Sequence, residues 1–184
     1  MIKEKLKEEL NKLSITKICV WDFDGTLMNS PLPTTGKDIY KEKTGQPWPH
    51  KGWWSKPETL DPTIFDIPVI EPVIKAYEHE KTNPNTLIVM LTGRIQRLSS
   101  HVESLLKSKG LTFDKYLYNM GGQTIDSKLN SLDKLLIDYP NVKTIEGWDD
   151  RNEHVPAFEA WGAKQKESGR LVDFKMNLVP SGHH

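Results

Sequence analysis

The sequence predicts an α/β protein: a central parallel sheet of Rossmann-like, doubly wound type with helices on both faces. Three observations predict it. Short apolar runs rich in strand-forming residues recur at 17–21, 86–91, 116–118 and 141–148. Between them lie stretches with apolar residues every three or four positions, the helical period. The runs at 17–21, 86–91 and 141–148 stop on polar groups, Asp22, Thr92 and Asp149, which places those groups where open α/β sheets bind ligands.

Composition sets the bounds. The chain has 184 residues and balances 25 basic against 25 acidic side chains, a length that fits one domain with a small insertion. Zero formal net charge gives no global sign of nucleic-acid binding, so any such contact needs a local patch. The one cysteine, Cys19, lies in a predicted core strand. That excludes a disulfide framework and a disulfide-linked partner, and favours a reducing, cytoplasmic compartment. No apolar run approaches the ~20 residues of a membrane span, so no membrane partner is expected. The last residues, 178–184 (LVPSGHH), read as the remnant of a protease-site linker and histidine tag, which sets the domain at 1–177.

Taken in order, Ile2, Leu6, Leu10 and Leu13 form the stripe of an amphipathic helix expected to pack on its own domain. The first strand follows and runs into Asp22-Phe23-Asp24-Gly25. Two carboxylates one residue apart repel each other, which calls for a hard, oxygen-seeking cation between them; an Asp-Gly turn is the plainer reading. Residues 28–70 carry seven prolines and the tryptophans Trp48, Trp53 and Trp54. This segment reads as a cap or flap beside the carboxylates, held by an aromatic mini-core. An exposed tryptophan there suits stacking on a nucleobase.

A helix over 71–82 leads to the second strand, which ends in Thr92-Gly93-Arg94 at an expected helix start. Thr92 there reads either as an anion ligand, together with helical N–H groups, or as an N-cap. A short third strand precedes a helix bearing Lys128 near its first turn, against the helix dipole. The fourth strand ends in Asp149-Asp150-Arg151, with His154 three residues on, and 171–174 add an edge strand. Neighbouring first and fourth strands would gather up to four carboxylates, a cluster that requires a metal. Oxygen-only ligands point to Mg2+. With Lys128 and Thr92 placed to hold phosphoryl oxygens, the pattern is that of metal-assisted phosphoryl transfer.

These residues resemble the haloacid dehalogenase-like (HAD) superfamily of aspartate-nucleophile hydrolases. The carrying motifs are DFDGT at 22–26, the strand ending at Thr92 with Gly93-Arg94, Lys128, and Asp149-Asp150. A narrower resemblance, through SPLP at 30–33, GWW at 52–54, LTGR at 91–94 and DDRNEH at 149–154, is to the HAD domain of Swiss Army Knife RNA repair proteins. The DDR motif is also similar to that of the 3′-phosphatase domain of polynucleotide kinase-phosphatases. The resemblance implies Asp22 as nucleophile, Asp24 as acid and base, and Thr92 and Lys128 as phosphate ligands. It implies Mg2+ at Asp22, Asp24 (through its carbonyl) and Asp150, with Asp149 as the alternative ligand. Gly93, Arg94, Arg151 and His154 are the implied substrate contacts, with pairing to Asp149 or another acid as the alternative for the two arginines and a structural role as the alternative for His154; Trp53 and Trp54 are the stacking candidates of the flap.

The expected function is Mg-dependent phosphomonoester hydrolysis through an aspartyl-phosphate, on an RNA or DNA 3′ end. A small flap leaves the site open to a chain end. The alternatives are a small-molecule or nucleotide phosphatase and a non-catalytic, regulatory HAD-like domain.

Overall fold

The computed structural model describes residues 1–181 and 183. Five parallel strands form one sheet in the order β3-β2-β1-β4-β5. They are β1 (Lys17–Trp21), β2 (Thr86–Ile95), β3 (Lys115–Asn119), β4 (Thr144–Asp149) and β5 (Asp173–Leu178). The helices are α1 (Ile2–Ser14), α2 (Pro33–Thr44), α3 (Glu71–Lys81), α4 (Ser99–Ser108), α5 (Thr124–Asp138) and α6 (Val155–Glu167). The chain order therefore reverses beside β1, and ligand sites of open sheets form at such switch points.

Alternation along β1 divides the core in two. Cys19 and Trp21 face one side, with Ile88 and Met90 of β2 and with residues of α3, α4 and the flap. Ile18 and Val20 face the other, with Leu87, Val89 and Leu91 and with α5 and α6. Successive strand side chains point to opposite faces, so a run apolar at every position must be covered on both. Trp21 stacks on Trp148 of β4 at 4.6 Å between ring centroids.

The expected packing of α1 is corrected. No residue of α1 is buried, and Ile2, Leu6, Leu10 and Leu13 are all exposed. Both faces of the sheet are covered by α3 to α6 and the flap, and no residue of α1 takes part in either core cluster.

Residues 28–70 are more regular than their prolines suggest. Pro33 opens α2, where its missing N–H is no loss, and Pro57 opens a short 3₁₀ turn at Pro57–Leu60. The base of the segment is closed by an antiparallel bridge between Met28 and Val69. The backbone N–H of Asn29 donates to the Pro68 carbonyl, and that of Ile70 to Leu27. Trp48 and Trp53 pack together, with Tyr40 and Phe65 against their edges.

Candidate active site

The register of the sheet builds the site. Trp21 pairs with Trp148, so the residues that follow on β1 and β4, Asp22 and Asp149, leave the sheet side by side. Asp150 comes next. Oxygen atoms of Asp22, Asp149 and Asp150 lie within 4.8 Å of one another, and all three residues are buried. Lys128 reaches them from α5 and is 1% exposed. Its Nζ donates to Asp22 Oδ1 at 2.9 Å and to Asp149 Oδ2 at 2.6 Å. Thr26 Oγ1 donates to the other oxygen of Asp22 at 3.2 Å.

The charges of this cluster do not cancel. Burial raises the Asp22 carboxyl well above the usual carboxylate range; Lys128 opposes the rise, and Asp149 and Asp150 add to it. Burial also works against the Lys128 ammonium, but its two carboxylate partners outweigh that and raise its pKa. One cation thus faces three buried carboxylates. A hard divalent ion fits that donor set, oxygen-only and electrically short of one or two positive charges.

Asp24 stands apart from the cluster. Arg94 grips it with a two-pronged contact, Nε to Oδ2 at 2.9 Å and Nη2 to Oδ1 at 2.8 Å. Ser30 Oγ adds a donor to Oδ1 at 2.6 Å. Burial pushes this carboxyl up, but Arg94 and Ser30 more than reverse it, and Asp24 lies below its ordinary range. Arg94 Nη1 donates to the Trp54 carbonyl and to Thr59 Oγ1, both at 2.7 Å. The guanidinium also lies 5.1 Å from the Trp54 ring. A single arginine therefore ties the carboxylate of Asp24 to two points of the flap.

A pocket of about 190 Å³ opens over these groups. Asp22, Asp24, Lys128 and Asp150 lie along it, with Gly93 and Arg94 of β2, Thr124 of α5, Arg151, Leu32 and Trp54 of the flap, and His183. Gly25 permits its floor. The residue has φ +73°, and a Cβ there would lie 2.2 Å from Asp150 Oδ2. Gly93 permits the approach of α5, since a Cβ would lie 2.6 Å from Thr124 Cγ2.

Several sequence expectations shift. Thr92 to Arg94 lie inside the extended β2 rather than at a helix start, so no helical N–H groups accompany Thr92. Thr92 is buried, and its hydroxyl accepts the Arg94 N–H at 3.0 Å. Trp53 is corrected from a substrate contact to a core residue. It is 5% exposed, fills the space a side chain at Gly36 would need, and donates its indole N–H to the Pro31 carbonyl. Trp54 is 37% exposed and does line the pocket.

His154 is buried beside the cluster and is not among the lining residues. Burial, then the nearby charges of Arg151 and Lys128, lower its pKa. Asp24 places its carboxylate on Arg94 and Ser30, away from the three-carboxylate group. Sequence reasoning assigned no role to Leu32, Thr124 or Thr59. The hydroxyl of Ser30 lay within a noted motif, but nothing in the sequence signalled that it bonds Asp24.

A sequence model of HAD domain family 1 in Swiss Army Knife RNA repair proteins matches residues 30–184. The chain belongs to this family. The match omits the first-strand aspartates and runs through 178–184, the segment that looked like a tag remnant. In the structure Leu178 closes β5, and buried Val179 donates its N–H to the Asp149 carbonyl. The HAD domain is 24% identical over 177 residues to the uncharacterized protein YMR265C of Saccharomyces cerevisiae. That alignment takes in 83% of this chain and 38% of the yeast protein, so the chain spans about two-fifths of that relative's length.

Among solved structures, the fold is shared with a chain of the Pnkp1/Rnl/Hen1 complex at TM-score 0.52 and 19% identity, covering 91% of this chain and 48% of that one. It is also shared with the HAD domain of the effector Lem4 from Legionella pneumophila, at TM-score 0.50 and 13% identity, covering 92% and 89%. Among the described residues no helix is long and apolar enough to cross a membrane.

Proposed function

We propose that this HAD domain is a Mg-dependent phosphomonoesterase that removes the terminal phosphate from a polynucleotide 3′ end. The observation that carries the reading is the buried group of Asp22, Asp149, Asp150 and Lys128 at the end of β1 and β4, opening into one pocket. The family's place in RNA repair proteins supports the substrate class. So does a pocket lining that includes an exposed indole, Trp54, and Arg151, suited to a base and a backbone phosphate. The proposed location is the cytoplasm, a reducing compartment that suits a single buried free cysteine.

In this reading Asp22 Oδ attacks phosphorus and the P–O bond to the leaving 3′ oxygen breaks, giving an aspartyl-phosphate. Lys128 holds Asp22 in line and offsets its charge. Asp24 then accepts a proton from the water that attacks the phosphoryl group, regenerating Asp22. The Arg94 contact keeps Asp24 ionised, which suits this second half. For the first half, Asp24 must carry a proton to the leaving oxygen, so the arriving phosphate must loosen the arginine. Asp22 and Asp150 would hold the divalent ion, which supplies positive charge between phosphate and carboxylates. Asp149 is the lesser ligand, because Asp22 and Asp150 line the pocket and Asp149 does not; its oxygens meet Lys128 and the Arg151 N–H.

The first test is phosphate release from a 3′-phosphorylated oligoribonucleotide with Mg2+ and after chelation. Activity that disappears on chelation and returns with Mg2+ is expected; undiminished turnover after thorough chelation contradicts the reading. Two variants refine it. W54A is expected to raise KM for the oligonucleotide roughly tenfold, the effect of losing one stacked base, and more than for p-nitrophenyl phosphate. Equal effects on both would return Trp54 to a packing role. R94A is expected to lower kcat by about a hundredfold, in the range of a misplaced acid–base group. It should also make 28–70 the first site of limited proteolysis, since two flap contacts go with it. Unchanged kcat and protease resistance would dissociate the flap from Asp24.

A further inference from the structure

The turn that follows β5 returns to the pocket. β5 pairs with β4 as far as Asp149, opposite Leu178. The Val179 N–H then donates to the Asp149 carbonyl at 2.8 Å, which carries the chain alongside Asp150. Ser181 Oγ donates to Asp150 Oδ2 at 3.1 Å. The same hydroxyl oxygen accepts the backbone N–H of His183 at 3.2 Å. An oxygen that accepts from one side has its own proton directed to the other, here toward the carboxylate.

His183 fastens the turn from its far end. Its Nε2–H donates to the Ser30 carbonyl at 2.7 Å, and Ser30 Oγ is the group that donates to Asp24. The imidazole lies 6.0 Å from the Trp54 ring, along the pocket wall. Asp150 Oδ2 is thus confined between Ser181 and the Gly25 turn, where a Cβ would meet it.

We propose that Ser181 is a positioning residue of the site: it fixes the Asp150 carboxylate and thereby sets the affinity for the divalent ion. The inference rests on the reading of Asp150 as a metal ligand given above. Partners that orient a ligating carboxylate commonly change metal affinity by 10–100-fold when removed, because the ligand must otherwise be ordered at the moment of binding. Residues 178–181 and 183 then belong to the working domain, in keeping with a family match that extends over them.

The test is Mg2+ affinity, measured by competition with Mn2+ and electron paramagnetic resonance of the free Mn2+. Wild type is compared with S181A, S181T, D150N and a chain ending at Pro180. Metal-free thermal midpoints check that each is folded. S181A and the shortened chain are expected to bind Mg2+ about tenfold more weakly. S181T, which keeps the hydroxyl, should recover most of the affinity. D150N should lose it almost entirely. Wild-type affinity in S181A beside lost affinity in D150N overturns the role of Ser181. Wild-type affinity in D150N overturns the metal reading itself, and this inference with it.

Discussion

D22N is expected to lose phosphate release by on the order of ten-thousand-fold or more, the scale on which removal of a nucleophile acts, while its fold survives. Asp22 supplies the attacking oxygen, and an amide cannot replace it. The shape is conserved, so packing around Trp21 and Trp148 is untouched. The charge removed is one that burial already disfavours, and Lys128 retains Asp149 as a partner. The check is phosphate release beside a thermal melt of the metal-free proteins. A folded D22N with wild-type turnover would remove Asp22 from the chemistry.

Lys128→Ala is expected to damage both fold and activity. The ammonium is the charge partner of two buried carboxylates. Breaking a buried pair from one side typically costs about 3–5 kcal/mol, because the other charge is left uncompensated. In the wild type the folded-state pKa of Lys128 is raised. Its contribution is therefore fully present below the ordinary lysine value of about 10.4 and is lost only as pH rises through the folded value. At neutral pH the variant lacks all of it.

The variant should show a dependence of the same sign, moved from the lysine range down to the carboxyl of Asp22. Asp22, already raised, goes higher without Lys128, so the folded state binds more protons than the unfolded one. Its stability then falls as pH rises, and the deficit should shrink between pH 8 and pH 5. Chemical denaturation across that range measures it. A deficit independent of pH would mean that Lys128 acts through packing alone.

Much of this fold was legible because strand runs and their polar ends lie in single short stretches. The run 17–21 is apolar at nearly every position, which marks a strand covered on both faces, and the structure covers it so. Asp22, Lys128, Asp149 and Asp150 were readable for a related reason: three of the four sit at strand ends, where topology alone decides their neighbours. The stripe of α1 was misread because periodicity reports that a helix has an apolar face, and not what that face meets.

Trp53 and Trp54 show the same limit at adjacent positions. They are identical in type, and only the path of the flap buries one and exposes the other. The Arg94 contact with Asp24 joins residues 70 positions apart, and that of Ser181 with Asp150 crosses 31. Neither leaves a periodic trace. In the second case the contact falls in 178–184, which reads in the sequence as the remnant of a cleavage linker and tag.

The central claim is tested most directly by phosphate release with Mg2+ from a matched set of substrates. These are a 3′-phosphorylated oligoribonucleotide, its DNA counterpart, a 5′-phosphorylated oligomer and a 3′-mononucleotide. Hydrolysis of the 3′-phosphorylated oligomers well above the other two, with KM rising steeply with salt as backbone contacts require, is the predicted result. Equal or faster turnover of the mononucleotide would contradict it and make the protein a small-molecule phosphatase.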